Sequence, residues 1–86
     1  MENIYVKDLG KCVAKTEDGR YRAFAEGNLY RIYSVGREML WDGDSFLGYG
    51  KKLTAVPVGY FQYLENFEYA VMECKSELNY LMKEGA

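Results

Sequence analysis

"LTAVPVGYFQYLENFEYAVMECKSELNYLM", residues 53–82, contains the point where the chain changes from one hydrophobic period to another. Leu53–Val56 has the apolar, β-branched character of a strand. Pro57, the chain's single proline, lacks the N–H that a ladder needs and is expected to end that strand. Gly59 then opens onto a stretch without breakers that runs until Gly85. Within it Tyr60, Leu64, Phe67, Val71, Cys74, Leu78 and Leu81 follow an alternating four-and-three spacing, which predicts a helix over residues 60–83. Gly85 is its stop signal.

Upstream, the chain is punctuated by turn chemistry. Glu17-Asp18-Gly19, Glu26-Gly27-Asn28, Asp42-Gly43-Asp44 and Gly48-Tyr49-Gly50 separate short runs rich in β-branched and aromatic residues. The runs are Ile4–Val6, Lys11–Lys15, Tyr21–Ala25, Leu29–Val35, Met39–Trp41 with Ser45–Leu47, and Leu53–Val56. Turns at such close intervals predict a small antiparallel barrel or strongly curved sheet over residues 3–58. With the helix, this makes one α+β domain over residues 1–86, large enough to bury a core without disulfides.

Four pieces of the sequence carry a resemblance to a known architecture. Cys12-Val13 sits in an early strand, and Phe24-x-x-Gly27-x-x-Tyr30-x-Ile32 marks a turn entering the next one. A strand–turn–strand follows around Asp42-Gly43-Asp44, and an aromatic residue, Phe61, comes after the last strand. Over residues 11–61 this resembles small bacterial and phage proteins built on an SH3-like β-barrel. The resemblance implies a barrel wall fed by Leu29, Tyr30 and Ile32. The chain departs from that pattern in its long C-terminal helix and in the Gly48-Tyr49-Gly50-Lys51-Lys52 segment. Such barrels serve many partners, so the resemblance leaves the activity open.

The net charge of −2 conceals an asymmetry. Residues 1–58 carry nine Lys/Arg against eight acids, whereas residues 59–86 carry two lysines against five glutamates. An acidic helix therefore follows a balanced β region, which argues against a chain that coats nucleic acid along its whole length. No apolar run approaches the length of a membrane span, and residues 1–3 begin no targeting segment. With two cysteines, Cys12 and Cys74, outside any metal-ligand spacing, the expectation is a soluble cytoplasmic protein with both thiols reduced.

Chemistry is sparse. Histidine is absent, which removes the commonest general base and metal ligand. The cysteines have no partner for nucleophilic catalysis. Asp42-Gly43-Asp44 reads as a turn before it reads as a cation site. "GYGKK", residues 48–52, lacks the spacing and following helix of a phosphate-binding loop. The expectation is a protein with no catalytic residues, no cofactor and no metal.

Two surfaces remain as candidates. On the helix, with Val71 at zero and ~100° per residue, Phe67, Cys74, Leu78 and Met82 fall within roughly 60°, while Tyr69 and Tyr80 fall about 160–180° away. Those tyrosines stand on the water side, with Glu65 and Glu73 near them. An aromatic ring amid steering charges is the make-up of an interface anchor, so these four residues are the first partner-binding candidates. The alternative is a basic set, Arg20, Arg22 and Arg31 interleaved with tyrosines, together with Lys51 and Lys52, suited to nucleic acid or an anion such as a nucleotide. A helix longer than the sheet is wide would also leave Leu78, Leu81 and Met82 for a homodimer seam. Together these features favour recognition of a host or cognate protein, of the kind a phage or mobile element uses to inhibit a host factor in anti-defence. A nucleic-acid-binding regulator and a nucleotide-sequestering protein are the alternatives.

Overall fold

The computed structural model describes residues 4–85, with side chains described for residues 4–76. Five antiparallel strands form one sheet and a C-terminal helix covers part of one face, an α+β arrangement. The strands are β1 (Ile4–Tyr5), β2 (Cys12–Lys15), β3 (Tyr21–Glu26), β4 (Leu29–Asp42) and β5 (Ser45–Phe61), and the helix is α1 (Phe67–Gly85). Their order across the sheet is β1-β5-β4-β3-β2. The sheet is open. Among the described residues β1 holds two, Ile4 and Tyr5, before the chain enters a 3-10 turn at Val6–Asp8, and β1 and β2 stay at opposite edges of the sheet.

Three of the expected turns lie where the sequence places them. The β3–β4 and β4–β5 connections each have two central residues, Gly27-Asn28 between the pair Glu26 and Leu29, and Gly43-Asp44 between Asp42 and Ser45. Gly43 sits at φ 62° while Asp44 keeps a negative φ. That is the pattern of a type II′ turn, whose twist matches that of the strands it joins.

The fourth expected turn is absent. Gly48-Tyr49-Gly50 lies inside β5, and so does Pro57. Each breaker falls next to an irregularity in the β4–β5 register, at Leu40/Trp41, Arg37/Met39 and Ile32/Tyr33. Bulges accept a residue that cannot hold the regular ladder, so the chain bends at these points where the sequence suggested that it stops. The 17 residues of β5 would span about 55 Å if straight. That exceeds the molecule's largest dimension of 41 Å. The bulges accommodate the difference as curvature.

The same extension corrects the start of the helix. Tyr60, expected as the first residue of the helical stripe, is still in β5, opposite Arg31, and 68% exposed. Leu64 opens a 3-10 turn, Leu64–Asn66, and is exposed as well. The strand persists to Phe61 because β4 reaches that far: Tyr30 pairs with Phe61, and their rings stack at 5.4 Å. The true helical stripe is Phe67, Ala70, Val71 and Cys74, all buried. Leu78, Leu81 and Met82, on which a dimer seam would rest, lie outside the described side chains.

Two small cores lie on opposite faces of the sheet, as alternation along the strands requires. Ala23 and Ile32 are register partners and meet the helix stripe and Phe61 on one face. Phe24, Tyr33 and Ala55 form the other core, covered by Val6 of the 3-10 turn, by Leu9 just after it and by Cys12. The helix comes close to β5 at Gly59, where an added Cβ would lie 2.7 Å from Cys74 Sγ. Only glycine admits that approach.

Phe67→Ala should therefore cost about 3–5 kcal/mol in denaturant unfolding, whereas Leu64→Ala should stay within about 1 kcal/mol. Gly59→Ala should destabilise by about 1–3 kcal/mol through overpacking, with a smaller penalty in a Cys74→Ala background. Equal penalties in the two backgrounds would place the strain elsewhere.

Candidate functional site

The sequence-derived candidates separate in the structure. Tyr69 is 64% exposed on α1, beside Met72 three residues on, with Glu73 exposed in the same helix and Glu65 exposed in the preceding turn. Tyr80 lies outside the described side chains, so only half of the expected tyrosine pair has a described position.

The basic set is divided as well. Arg31 sits opposite Phe24 and pairs with Glu26 across the β3–β4 hairpin. Both side chains of that pair are largely exposed, which limits it to at most about 1 kcal/mol. Lys52 Nζ lies 5.3 Å from the centre of the Tyr5 ring, and Lys51 is exposed in β5. Arg20 and Arg22 do come together, and Arg37 of β4 joins them, a residue the sequence reading left out. The three line a groove of ≈ 420 Å³ with Asp18, Tyr49 and Leu53. Arg22 is positioned by its Nε, which donates to the Gly19 carbonyl at 3.0 Å.

The rim of that groove is set by the β2–β3 turn. The Thr16 hydroxyl donates to Asp18 Oδ1 at 2.6 Å, and the Arg20 backbone N–H donates to the same oxygen at 3.0 Å. These bonds, the hydroxyl's first, hold the Asp18 carboxyl below its ordinary pKa, with smaller help from the charges of Lys75 and Arg20. The consequence has a definite sign. A carboxylate with a depressed folded pKa favours the folded state above its unfolded pKa and loses that advantage as pH falls through the folded value.

A further exposed surface lies in segments that the sequence assigns to a small barrel or strongly curved sheet. β3 pairs with β4 only as far as Tyr21↔Ser34, extended by the Val35 N–H to the Arg20 carbonyl at 2.7 Å. On the other side, β1 pairs with β5 only at Thr54 and Ala55. Residues 36–53 therefore form a hairpin arm paired with itself alone among the described residues. Met39, Trp41, Phe46 and Tyr49 lie on this arm as register partners, Met39↔Tyr49 and Trp41↔Phe46. Trp41 packs edge-on against Phe46 at 5.2 Å, and Phe46 against Tyr49 at 5.3 Å. Yet Trp41 stays 54% exposed, Phe46 45% and Tyr49 61%. Leu40 and Leu47 are exposed too, so no layer of this chain's described residues covers the arm. One signal in the sequence marks it: "MLWDGDSFLGY", residues 39–49, has apolar residues at adjacent positions, which gives both faces of a hairpin apolar side chains.

Among the described residues, no three of Cys, Asp and Glu gather closely enough to hold a metal, and no helix is long and apolar enough to cross a membrane. No protein-family model matches the chain, and neither a curated protein nor a solved structure matches it.

Thr16→Ala should move the Asp18 pKa upward, read by carboxyl NMR titration, and should shift the acid loss of stability to higher pH. An unchanged Asp18 titration would mean that the hydroxyl does not set it.

Proposed function

We propose that this protein is a non-enzymatic protein-binding module and that the hairpin arm, residues 36–53, is its principal recognition surface. The supporting observation is the Trp41–Phe46–Tyr49 ladder, whose three rings stay about half exposed on an arm that Tyr5 touches only near its base, at Glu38 and Lys52, among the described residues. Single exposed apolar residues are ordinary, but six fall between residues 39 and 49, and three of them, Trp41, Phe46 and Tyr49, are in ring contact with one another. A two-stranded hairpin is marginal by itself in water, and cross-strand aromatic pairs are what hold it in shape. Tryptophan and tyrosine held in that way supply contact area at little entropic cost and are the usual anchors of protein interfaces.

The helix face with Tyr69, Met72, Glu65 and Glu73 is a second reading of the same class, supported by the equal exposure of Tyr69 and Met72. A module without catalytic groups acts by occupying a surface on its partner. The role of an inhibitor of a host factor, carried by a phage or mobile element, belongs to this proposal. An SH3-like origin for the curved sheet belongs to it also.

Trp41→Ala and Phe46→Ala should leave the thermal midpoint of the two cores nearly unchanged, because neither residue enters a core, although each removes a cross-strand ring contact from the arm. Each should weaken capture of the partner by about 2 kcal/mol, roughly thirtyfold. Affinity chromatography on wild-type and variant baits reads this directly, with sedimentation to reveal a second copy of the chain as the partner. If Tyr69→Ala abolishes capture and the arm variants do not, the helix face is the recognition surface.

A further inference from the structure

The arginine groove and the arm meet at one place in the sheet. β3 ends there, and the outer edge of β4 has no pairing strand from Gly36 onward among the described residues. The groove's lining runs across this notch, from Asp18, Arg20 and Arg22 on one side to Arg37, Tyr49 and Leu53 on the other. An extended segment added to the β4 edge would continue in line with β3. Its alternate side chains would point to the same face as Arg37, whose strand partner is Leu53.

Charge identifies what such a side chain would carry. Among the described residues Arg20, Arg22 and Arg37 form no ion pair, although three guanidinium groups share one groove. Arg22 spends Nε on Gly19 and keeps its two terminal nitrogens. Asp18 is the single acid in the groove's described lining, and one of its oxygens is committed to the turn. Three cations against one acid favour a negative ligand group, and planar guanidinium matches a carboxylate in two parallel hydrogen bonds.

The same charges would attract phosphate, but three further observations favour a peptide. The arginines form a point and not a track, on a chain of net charge −2. The aromatic rings of the arm meet at 60° and 74°. They therefore do not present the parallel faces on which successive bases stack. The unpaired edge of β4 offers backbone N–H and C=O groups, which another peptide backbone satisfies and a sugar–phosphate chain does not.

We infer that the β4 edge at residues 36–40 accepts an extended segment of a partner protein, and that the Arg20–Arg22–Arg37 groove selects a segment with an acidic side chain. This inference rests on the reading of the arm as a protein-binding surface and adds the chemistry of the partner.

The test is selection of random linear peptides by the full chain, followed by titration of one selected peptide into wild type, Arg37→Gln, Arg22→Gln/Arg37→Gln and Trp41→Ala. The expected result is enrichment of Asp or Glu at one position between β-branched residues. The affinity should fall at least about tenfold in the arginine variants, and amide exchange should slow at residues 36–40. Arg37→Gln is the decisive variant, because Arg37 makes no described hydrogen bond whose loss would disturb the fold. Selected peptides without an acidic position, peptides that bind Arg37→Gln as tightly as wild type, or the absence of any selected peptide would overturn the inference. In the first two cases, a loss of binding in Trp41→Ala would leave the reading of the arm intact. Oligothymidylate that binds more tightly than the peptide, with the same arginine dependence, would assign the groove to nucleic acid and overturn the inference.

Discussion

The contact of α1 with β5 at Gly59 is the constraint on which the rest of the structure depends. A side chain at that position would collide with Cys74, so glycine sets how closely the helix can lie on the sheet. From that approach follow the burial of Phe67, Ala70 and Val71 and the enclosure of Ile32, the only large side chain fully buried among the described residues. β5 also carries β1 on one side and β4 on the other. One strand thus joins the helix, the N-terminal segment and the hairpin, and it does so only because its bulges let it curve through Pro57 and Gly48.

That economy has a cost. The two cores are small, and each draws on a different face of the same sheet. Small domains hold little stability in reserve, and here a substantial part of the apolar surface lies outside either core. Surface of that kind on an arm is a liability unless it serves an interface, since unpaired strand edges also favour self-association. Arg37, charged and exposed beside the open edge of β4, is the usual type of safeguard against indiscriminate pairing.

Much of the fold was legible in the sequence where local chemistry decides the structure. The turns at Gly19, Gly27-Asn28 and Gly43 need particular backbone conformations, and residue type announces them. So does the helix, from Phe67 on. Legibility failed where tertiary pairing overrides a local signal. Pro57 and Gly48 look like strand ends, but a partner strand on β4 carries the ladder past both. Tyr60 and Leu64 match the helical period by spacing alone, although one lies on a strand and the other in a 3-10 turn. For the site, Arg20 and Arg22 were found because they are close in sequence. Arg37 was not, because only the β3–β4 register brings it to them. The arm escaped notice for a related reason: a strand with two apolar faces reads as buried until the sheet is known to leave it uncovered.

One further consequence lies in spectroscopy. The chain's single tryptophan, Trp41, stands on the arm and not in either core. Its fluorescence therefore reports the polarity of the arm's surroundings and says little about the packing of Phe67, Ile32 or Tyr33. With its indole about half exposed, emission of the free protein is expected to be red-shifted before unfolding begins, so melting followed by tryptophan alone would underreport the loss of the cores. The same placement makes the indole a built-in probe of association, since any molecule that covers the arm removes water from that one ring and shifts its emission to the blue.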